Sequence, residues 1–272
     1  MVDCRGGLNA LSPSIQSKVC MSVIFVQLLV ITDEWHRADM VGCIKSDMTP
    51  RYPFFGEFDD TAPQAIPEPP KSRLGNSFKS LLQNFKFDII LSETIHDLQS
   101  LSDLYIEHNA YGSPDLQQLE HFAAMLRHRL LSCPSARMTT TPRELIMESC
   151  RIGALIHLKT ILPEHPSRDR MYKTLIEKLK SCIDGINRSG FESNGVVGEL
   201  MLWLLFVGGT VDLGEVNKAW FVVRIFMVAK ALELESWSEV KNVLQGYFWV
   251  DSLHASAFSS HWDEAAGTRQ VS

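Results

Sequence analysis

Residues 195–209 read GVVGELMLWLLFVGG, and this stretch decides the fold. Only Glu199 places a charge in the apolar run, which ends at Gly208 and Gly209. Glycine readily adopts the positive-φ conformation that commonly ends a helix. Because a helix that is apolar on all sides must be buried, we predict that residues 195–209 form the central helix of a bundle.

The composition of the chain changes at a proline-rich stretch. Residues 49–75 contain six prolines and several acidic residues, a composition that predicts a linker. Residues 1–48 before it show no clear pattern beyond a short apolar element. After it, we predict an all-helical domain over residues 76–264 and a disordered tail over residues 265–272.

Helix signals are frequent after the linker. Apolar residues recur at steps of three and four, and two capping boxes mark helix starts, Thr141 with Glu144 and Ser236 with Glu239. No stretch of comparable length after the linker alternates apolar and polar residues with the two-residue period of a strand. The sequence therefore predicts an all-α fold, an irregular bundle of about seven or more helices. One of these helices follows Gly209 and carries a repeated set of apolar residues: Val216, Ala219, Trp220, Val223, Phe226, Met227 and Leu234.

Charge and cysteine content exclude some classes of function. The net charge of −6 and the absence of a basic run argue against a nucleic-acid-binding surface, which needs clustered Lys and Arg. The six cysteines form no Cys-x-x-Cys pair of the kind that holds structural zinc. We expect reduced thiols, which suit an intracellular compartment.

The apolar element VCMSVIFVQLLVI, residues 19–31, is a candidate for a segment that enters a membrane. A helix of that length rises about 20 Å, whereas a bilayer core is about 30 Å thick. We therefore predict no membrane span. Attachment to a membrane through residues 19–31 remains an alternative.

No pattern of catalytic residues stands out. The chain has no nucleophile elbow, no phosphate-binding glycine loop and no His-Glu-x-x-His helix, and GGTVDLG at 208–214 lacks the dinucleotide-binding spacing. His121 and His128 lie seven residues apart, whereas metal ligands on a helix more often lie four apart. We read the histidines and acids of residues 254–264 as a polar tail. The sequence predicts no enzyme, no cofactor and no metal site.

Glu199 needs a partner or access to water, because burying an unpaired carboxylate is costly. Arg151 and Arg224 each lie in a mostly apolar helix. We predict that Glu199 forms an ion pair with one of them. The alternative is a side chain that extends to solvent.

Five of the six tryptophans come after residue 200, and aromatic side chains of this kind anchor ligands and protein partners. We predict that they line a pocket or a partner surface. The alternative, packing in the core, suits the first four, which lie on apolar helix faces. The five residues are Trp203, Trp220, Trp237, Trp249 and Trp262.

Three segments together resemble a known family: ESCRIGALIHLK (148–159), ELMLWLLFVGG (199–209) and SWSEVKNVLQGYFWVDSLHASAFSSHWDE (236–264). They resemble the C-terminal regulatory region of fungal-specific transcription factors, in their order and spacing. The likeness covers roughly residues 76–264. It implies an all-α regulatory domain that controls transcription in the nucleus through protein partners, and it leaves a small-molecule effector open.

The resemblance does not extend to the DNA-binding module of that family. A six-cysteine binuclear zinc cluster begins with two Cys-x-x-Cys pairs, which this sequence lacks. Neither zinc binding nor direct DNA binding is therefore implied, and the chain has no basic import signal. A cytosolic helical scaffold without a transcriptional role and an N-terminally membrane-attached helical protein are the alternatives.

Overall fold

The computed structural model describes residues 38–54, 75–112, 115–133, 141–162, 166–190 and 195–267. Within these ranges the chain forms ten α-helices and no strand, which confirms the predicted all-α bundle. A 3₁₀ helix, Pro166–Tyr172, precedes α6. The helices are α1 (38–46), α2 (Asn76–Phe85), α3 (Ile89–Tyr111), α4 (Leu116–Ser132), α5 (Pro142–Ile161), α6 (Lys173–Arg188), α7 (Gly195–Gly209), α8 (Glu215–Ala231), α9 (Trp237–Leu244) and α10 (Asp251–Gly267).

Both predicted capping boxes are confirmed. At the start of α5 the Thr141 hydroxyl accepts the Glu144 N–H, and the Glu144 carboxylate accepts the Thr141 N–H at 2.9 Å. Ser236 and Glu239 make the same reciprocal pair at the start of α9. Each box satisfies two backbone donors that the first turn of a helix leaves unpaired.

Helices α5 and α7 form the centre of the bundle. The predicted limits of α7 are confirmed, and every residue from 200 to 207 is fully buried. In α5, residues 146–158 are buried on all sides. Helices α3, α4 and α6 pack on α5, while α2, α8, α9 and α10 pack on α7. Among the described residues, no helix is both long enough and apolar enough to cross a membrane.

The described part of the N-terminal segment belongs to the bundle. Residues 38–54 extend across the predicted boundary between 48 and 49, and both sides of that boundary contact α4, α5 or α6. The backbone turns after α1 at Asp47, which has a positive φ of 50°. The apolar element at 19–31 and the linker residues 55–74 lie outside the described residues. The buried apolar side chains of α1 are Met40, Cys43 and Ile44.

The C-terminal residues fold into a helix that the sequence analysis missed. Helix α10 packs against α7 and α8 and continues to Gly267, three residues past the predicted end of the domain at 264. His254 and His261, interpreted as part of a polar tail, are buried. That interpretation is wrong because the polar residues of α10 alternate with apolar residues that reach the core. Residues 268–272 lie outside the described range.

Gly153 allows α5 and α7 to approach each other closely. A Cβ atom at this position would lie 2.5 Å from a methyl carbon of Leu204 and 2.7 Å from the Trp203 ring. The Trp203 ring cannot move away freely, because Phe78 and Tyr247 pack against it at 5.1 and 6.0 Å between ring centroids. The absence of a side chain at Gly153 therefore sets the separation of the two central helices.

We predict that Gly153→Ala lowers the free energy of unfolding by about 1–3 kcal/mol, since the added methyl group overpacks the core. Gly42→Ala is the matched control, because a Cβ there meets no atom within 4 Å. Alanine is the better helix former, so the control should keep or raise stability by up to about 1 kcal/mol. Urea denaturation of both variants measures the difference. Equal stability of the two variants would contradict the close approach.

Candidate functional site

A group of four charged side chains joins α1, α5 and α6. The Arg151 guanidinium donates to both oxygens of Glu148, at 2.8 and 2.6 Å, and to Asp47 Oδ1 at 2.7 Å. Lys178 donates to the other Asp47 oxygen at 2.6 Å and also pairs with Glu148. Glu148 is fully buried and the Arg151 side chain is only 5% exposed. Two acids and two bases leave the buried group formally neutral.

The pKa values in this group reflect a balance between burial and pairing. Burial lowers the pKa of Arg151, but the hydrogen bonds and charges of Glu148 and Asp47 raise it above its ordinary value. Burial raises the pKa of Asp47, but Arg151 and Lys178 lower it below the usual range. Arg151 and Asp47 are thus both charged at neutral pH, and pairing offsets the cost of their burial.

The predicted ion pair of Glu199 is wrong. Within the described residues, Arg151 pairs with Glu148 and Asp47, and Arg224 pairs with Asp184 at 2.7 Å. Glu148 lies one turn before Arg151 on α5, Asp47 follows α1, and Asp184 lies on α6. Glu199 is half-buried, and burial raises the pKa of its carboxyl group. Its position agrees with the alternative of a side chain that extends to solvent.

Two buried histidines lie beside the central tryptophan. His157 of α5 and His254 of α10 are 0% and 1% exposed, and their ring centroids are 5.3 Å apart. Phe248 stacks on His157 at 5.0 Å, and Trp203 lies at 6.3 Å. Burial lowers the pKa of His157 well below its ordinary value, and the neighbouring His254 lowers it further. Burial likewise lowers the pKa of His254, to about 4.

Hydrogen bonds fix the neutral form of His254. Val250 donates its N–H to Nδ1 at 3.0 Å, so the ring proton lies on Nε2, which faces Thr160 Oγ1 at 3.2 Å. The Thr160 hydroxyl in turn donates to the His157 carbonyl at 2.7 Å. His254 thus connects the first turn of α10 to the C-terminal part of α5 while it is uncharged.

The five predicted tryptophans do not share one exposed surface. Trp203, Trp249 and Trp262 are buried, which agrees with the alternative of packing in the core. Trp237 is half-buried and packs against Trp249, with 6.0 Å between ring centroids. Trp220 of α8 is also half-buried, and its ring packs against Phe221 with 5.0 Å between ring centroids. A single pocket or partner surface lined by all five is therefore not formed.

Helix α8 presents an apolar row to solvent, which we call the α8 row: Val216, Trp220, Val223 and Met227. Val216, Val223 and Met227 are 87%, 48% and 52% exposed, and Trp220 is half-buried. The sequence pattern contained these residues but could not show that they face outward, because the opposite face of α8 is apolar too. That opposite face is buried and consists of Phe221, Val222, Ile225, Val228 and Ala229.

Cations border the α8 row on the side of α6. Lys180 Nζ lies 5.0 Å from the Trp220 ring centroid, and the Arg224 guanidinium carbon lies 5.3 Å from it. Arg224 also pairs with Asp184 of α6. The two cations restrict the position of the indole ring, which stays half-buried.

One cleft and the cysteines of the described residues bear on small ligands and metal ions. The cleft between α2 and α3, lined by Gly75, Phe78, Ile95 and Gln99 among others, has no room for a water molecule. In the same ranges, no three His, Cys, Asp or Glu side chains converge in a way that could hold a metal ion. The four described cysteines are buried.

No protein-family model, curated protein or solved structure matches the chain. The buried charged group around Arg151 and the two buried histidines connect helices and stabilise the bundle. The α8 row faces outward, and its apolar residues follow one another along one helix face, which suits a partner.

We predict that Arg151→Met lowers the free energy of unfolding by about 3–5 kcal/mol, because two carboxylates then face Lys178 alone. The double variant Glu148→Met/Arg151→Met should lose much less, since Asp47 and Lys178 remain paired. Arg224→Met, which breaks a half-exposed ion pair, is the control and should cost about 0–1 kcal/mol. Urea denaturation measures all three. If Arg151→Met lowers the free energy of unfolding no more than the control does, the buried charged group does not stabilise the fold.

We also predict that acid destabilises the fold between pH 6.5 and pH 4. The unfolded chain binds protons at His254 near pH 6.5, whereas the folded chain does so only near pH 4, so stability falls as the pH falls through this interval. Between pH 7 and pH 5 the loss from His254 is about 2 kcal/mol.

Chemical denaturation at pH 7, 6 and 5 tests this dependence. In His254→Asn the amide oxygen can still accept the Val250 N–H, so the variant should fold with a shallower pH dependence. His96→Asn removes an exposed histidine of α3 and should retain the wild-type slope. If the free energy of unfolding depends on pH equally in the wild type and both variants, His254 is not the source of the acid destabilisation.

Proposed function

We propose that this chain is a helical protein-interaction domain of a transcription regulator, without a DNA-binding module or catalytic activity of its own. The α8 row is the observation that carries the interaction role. The transcriptional role rests on the resemblance of residues 148–159, 199–209 and 236–264 to the regulatory region of fungal-specific transcription factors. On the same resemblance we expect a nuclear location.

The properties of the α8 row favour a protein partner. Partner surfaces are enriched in tryptophan, methionine and arginine, and the row combines Trp220 and Met227 with the adjacent Arg224. Two cations beside the Trp220 ring reduce its freedom, so little side-chain entropy is lost when a partner covers it. The row also lies on a regular helix of 17 residues, which positions it rigidly.

A small-molecule effector has less support. The tryptophans proposed for a pocket include three that are fully surrounded by the core, where Trp203 packs against Phe78 and Tyr247. Displacing such rings to admit a ligand would cost packing energy that a preformed pocket does not require. The α8 row needs no rearrangement before a partner binds.

We predict that the full chain, fused to a foreign DNA-binding domain, changes the output of a reporter gene, and that Val223→Glu/Met227→Lys reduces this effect several-fold. The variant should keep wild-type stability, because both side chains are about half exposed. Ile89→Glu/Ile90→Lys is the matched control, since it replaces two exposed apolar residues at the start of α3.

Two outcomes would count against the proposal. A fused chain without effect on the reporter would favour the cytosolic scaffold over the transcriptional role. Equal loss in the α8 variant and the α3 control would show that the effect does not depend on the α8 row. Circular dichroism and thermal unfolding of each variant confirm that the bundle is intact.

A further inference from the structure

The four residues of the α8 row follow one another at steps of four, three and four. This is the spacing at which apolar residues form the contact line between two paired helices. Lys230 lies a further three residues along the same line and is exposed. Helix α8 already uses its opposite side to pack on α7 and α10, so the row is available for one more helix.

We propose that the α8 row pairs with the α8 row of a second copy of this chain, with the two helices antiparallel about a twofold axis. This inference rests on the proposed interaction role of α8 and names the partner. In this arrangement Val216 lies opposite Met227 of the second copy, and Trp220 lies opposite Val223. The large and small side chains of the row therefore face each other, as close packing requires.

The charges on α8 favour the antiparallel orientation. Glu215 lies in the first turn and Lys230 in the last turn, and both are exposed. Antiparallel pairing brings each Glu215 near Lys230 of the second copy, and it aligns the two helix dipoles favourably. Parallel pairing would place Glu215 beside Glu215, Arg224 beside Arg224 and Lys230 beside Lys230, with repulsion at each position.

The cations near the row argue for a second copy over an acidic peptide. Arg224 is already paired with Asp184, Lys218 pairs with Glu264 of α10 at 2.5 Å, and Lys180 donates to the side-chain oxygen of Asn217. An acidic partner would have to compete with these existing partners, whereas an uncharged apolar row matches another uncharged apolar row. A twofold axis is also the commonest symmetry of oligomers formed from one kind of chain.

One helix face makes a small interface. Stable dimers bury about 800 Å² per partner, which requires about 20–30 residues a side, more than a single row on a 17-residue helix supplies. We therefore expect a reversible dimer whose population rises with concentration. Val223 and Trp220 lie next to the axis, so changes there act twice in each dimer.

Sedimentation velocity of the full chain over a range of concentrations is the first test. The wild-type chain should shift reversibly from monomer to dimer. Val223→Glu should weaken the dimer about tenfold or more, because two carboxylates meet near the axis. Ile89→Glu is the matched control on α3 and should dimerise like the wild type. A chain that stays monomeric at every concentration would overturn the inference.

Disulfide crosslinking tests the orientation. Cys4 and Cys20 are replaced by serine, so that the native thiols that remain are the four buried ones, Cys43, Cys133, Cys150 and Cys182. Val216→Cys mixed with Met227→Cys should give crosslinked dimers under mild oxidation. Either variant alone should give few. Crosslinking of each variant with itself, and little in the mixture, would indicate parallel pairing and overturn the inference.

A charge exchange completes the design. Glu215→Lys should weaken the dimer, and Glu215→Lys/Lys230→Glu should restore it, because the antiparallel pair is rebuilt with its signs exchanged. Failure of the double variant to restore the dimer would count against the proposed register.

The inference and the proposed function fail in different ways. A monomeric chain whose reporter effect still depends on the α8 row would overturn the self-pairing and keep the interaction role. A dimer without any reporter effect would keep the self-pairing and overturn the transcriptional role.

Discussion

The burial of α5 on all sides is the constraint on which the rest of the structure depends. A helix without a solvent-exposed face must obtain partners for its polar side chains from neighbouring elements, because unpaired buried polar groups are costly. Glu148 and Arg151 obtain them from Asp47 and Lys178. His157 lies 3.4 Å from the hydroxyl oxygen of Ser102 in α3. The polar residues of α5 thus help to determine which elements pack on this helix and at which position along its length.

The parts of the fold that the sequence predicts are those that depend on local interactions. A capping box joins residues three positions apart, and the almost wholly apolar run of α7 can only be buried, so both can be predicted from the sequence. Contacts between residues far apart in the sequence cannot be predicted in this way. Asp47 lies 104 residues from Arg151, in a segment without a clear pattern. The sequence therefore placed Arg151 in a mostly apolar helix, but the carboxylate that it offered as a partner, Glu199, is not the one that Arg151 binds.

The candidate site was predictable only in part, for a related reason. The tryptophan-rich C-terminal part of the chain does contain Trp220 of the α8 row, which is half-buried, but Trp203, Trp249 and Trp262 are core residues. Periodicity identifies a helix without indicating which of two apolar faces is inward. In α8 both faces are apolar, and the inward one is chosen by contacts with α7 and α10 that only the fold supplies.

The α8 row is difficult to explain by the stability of an isolated chain. Valine is a weaker helix former than lysine or glutamate, so Val216 and Val223 each cost a few tenths of a kcal/mol on an exposed helix surface. Val216 gains almost nothing in return, since it is 87% exposed. The same side chains become favourable once another surface covers them, because each then removes apolar area from water. This balance supports the proposal that the row is one half of an interface, whereas the aromatic group around Trp203 is buried within the chain.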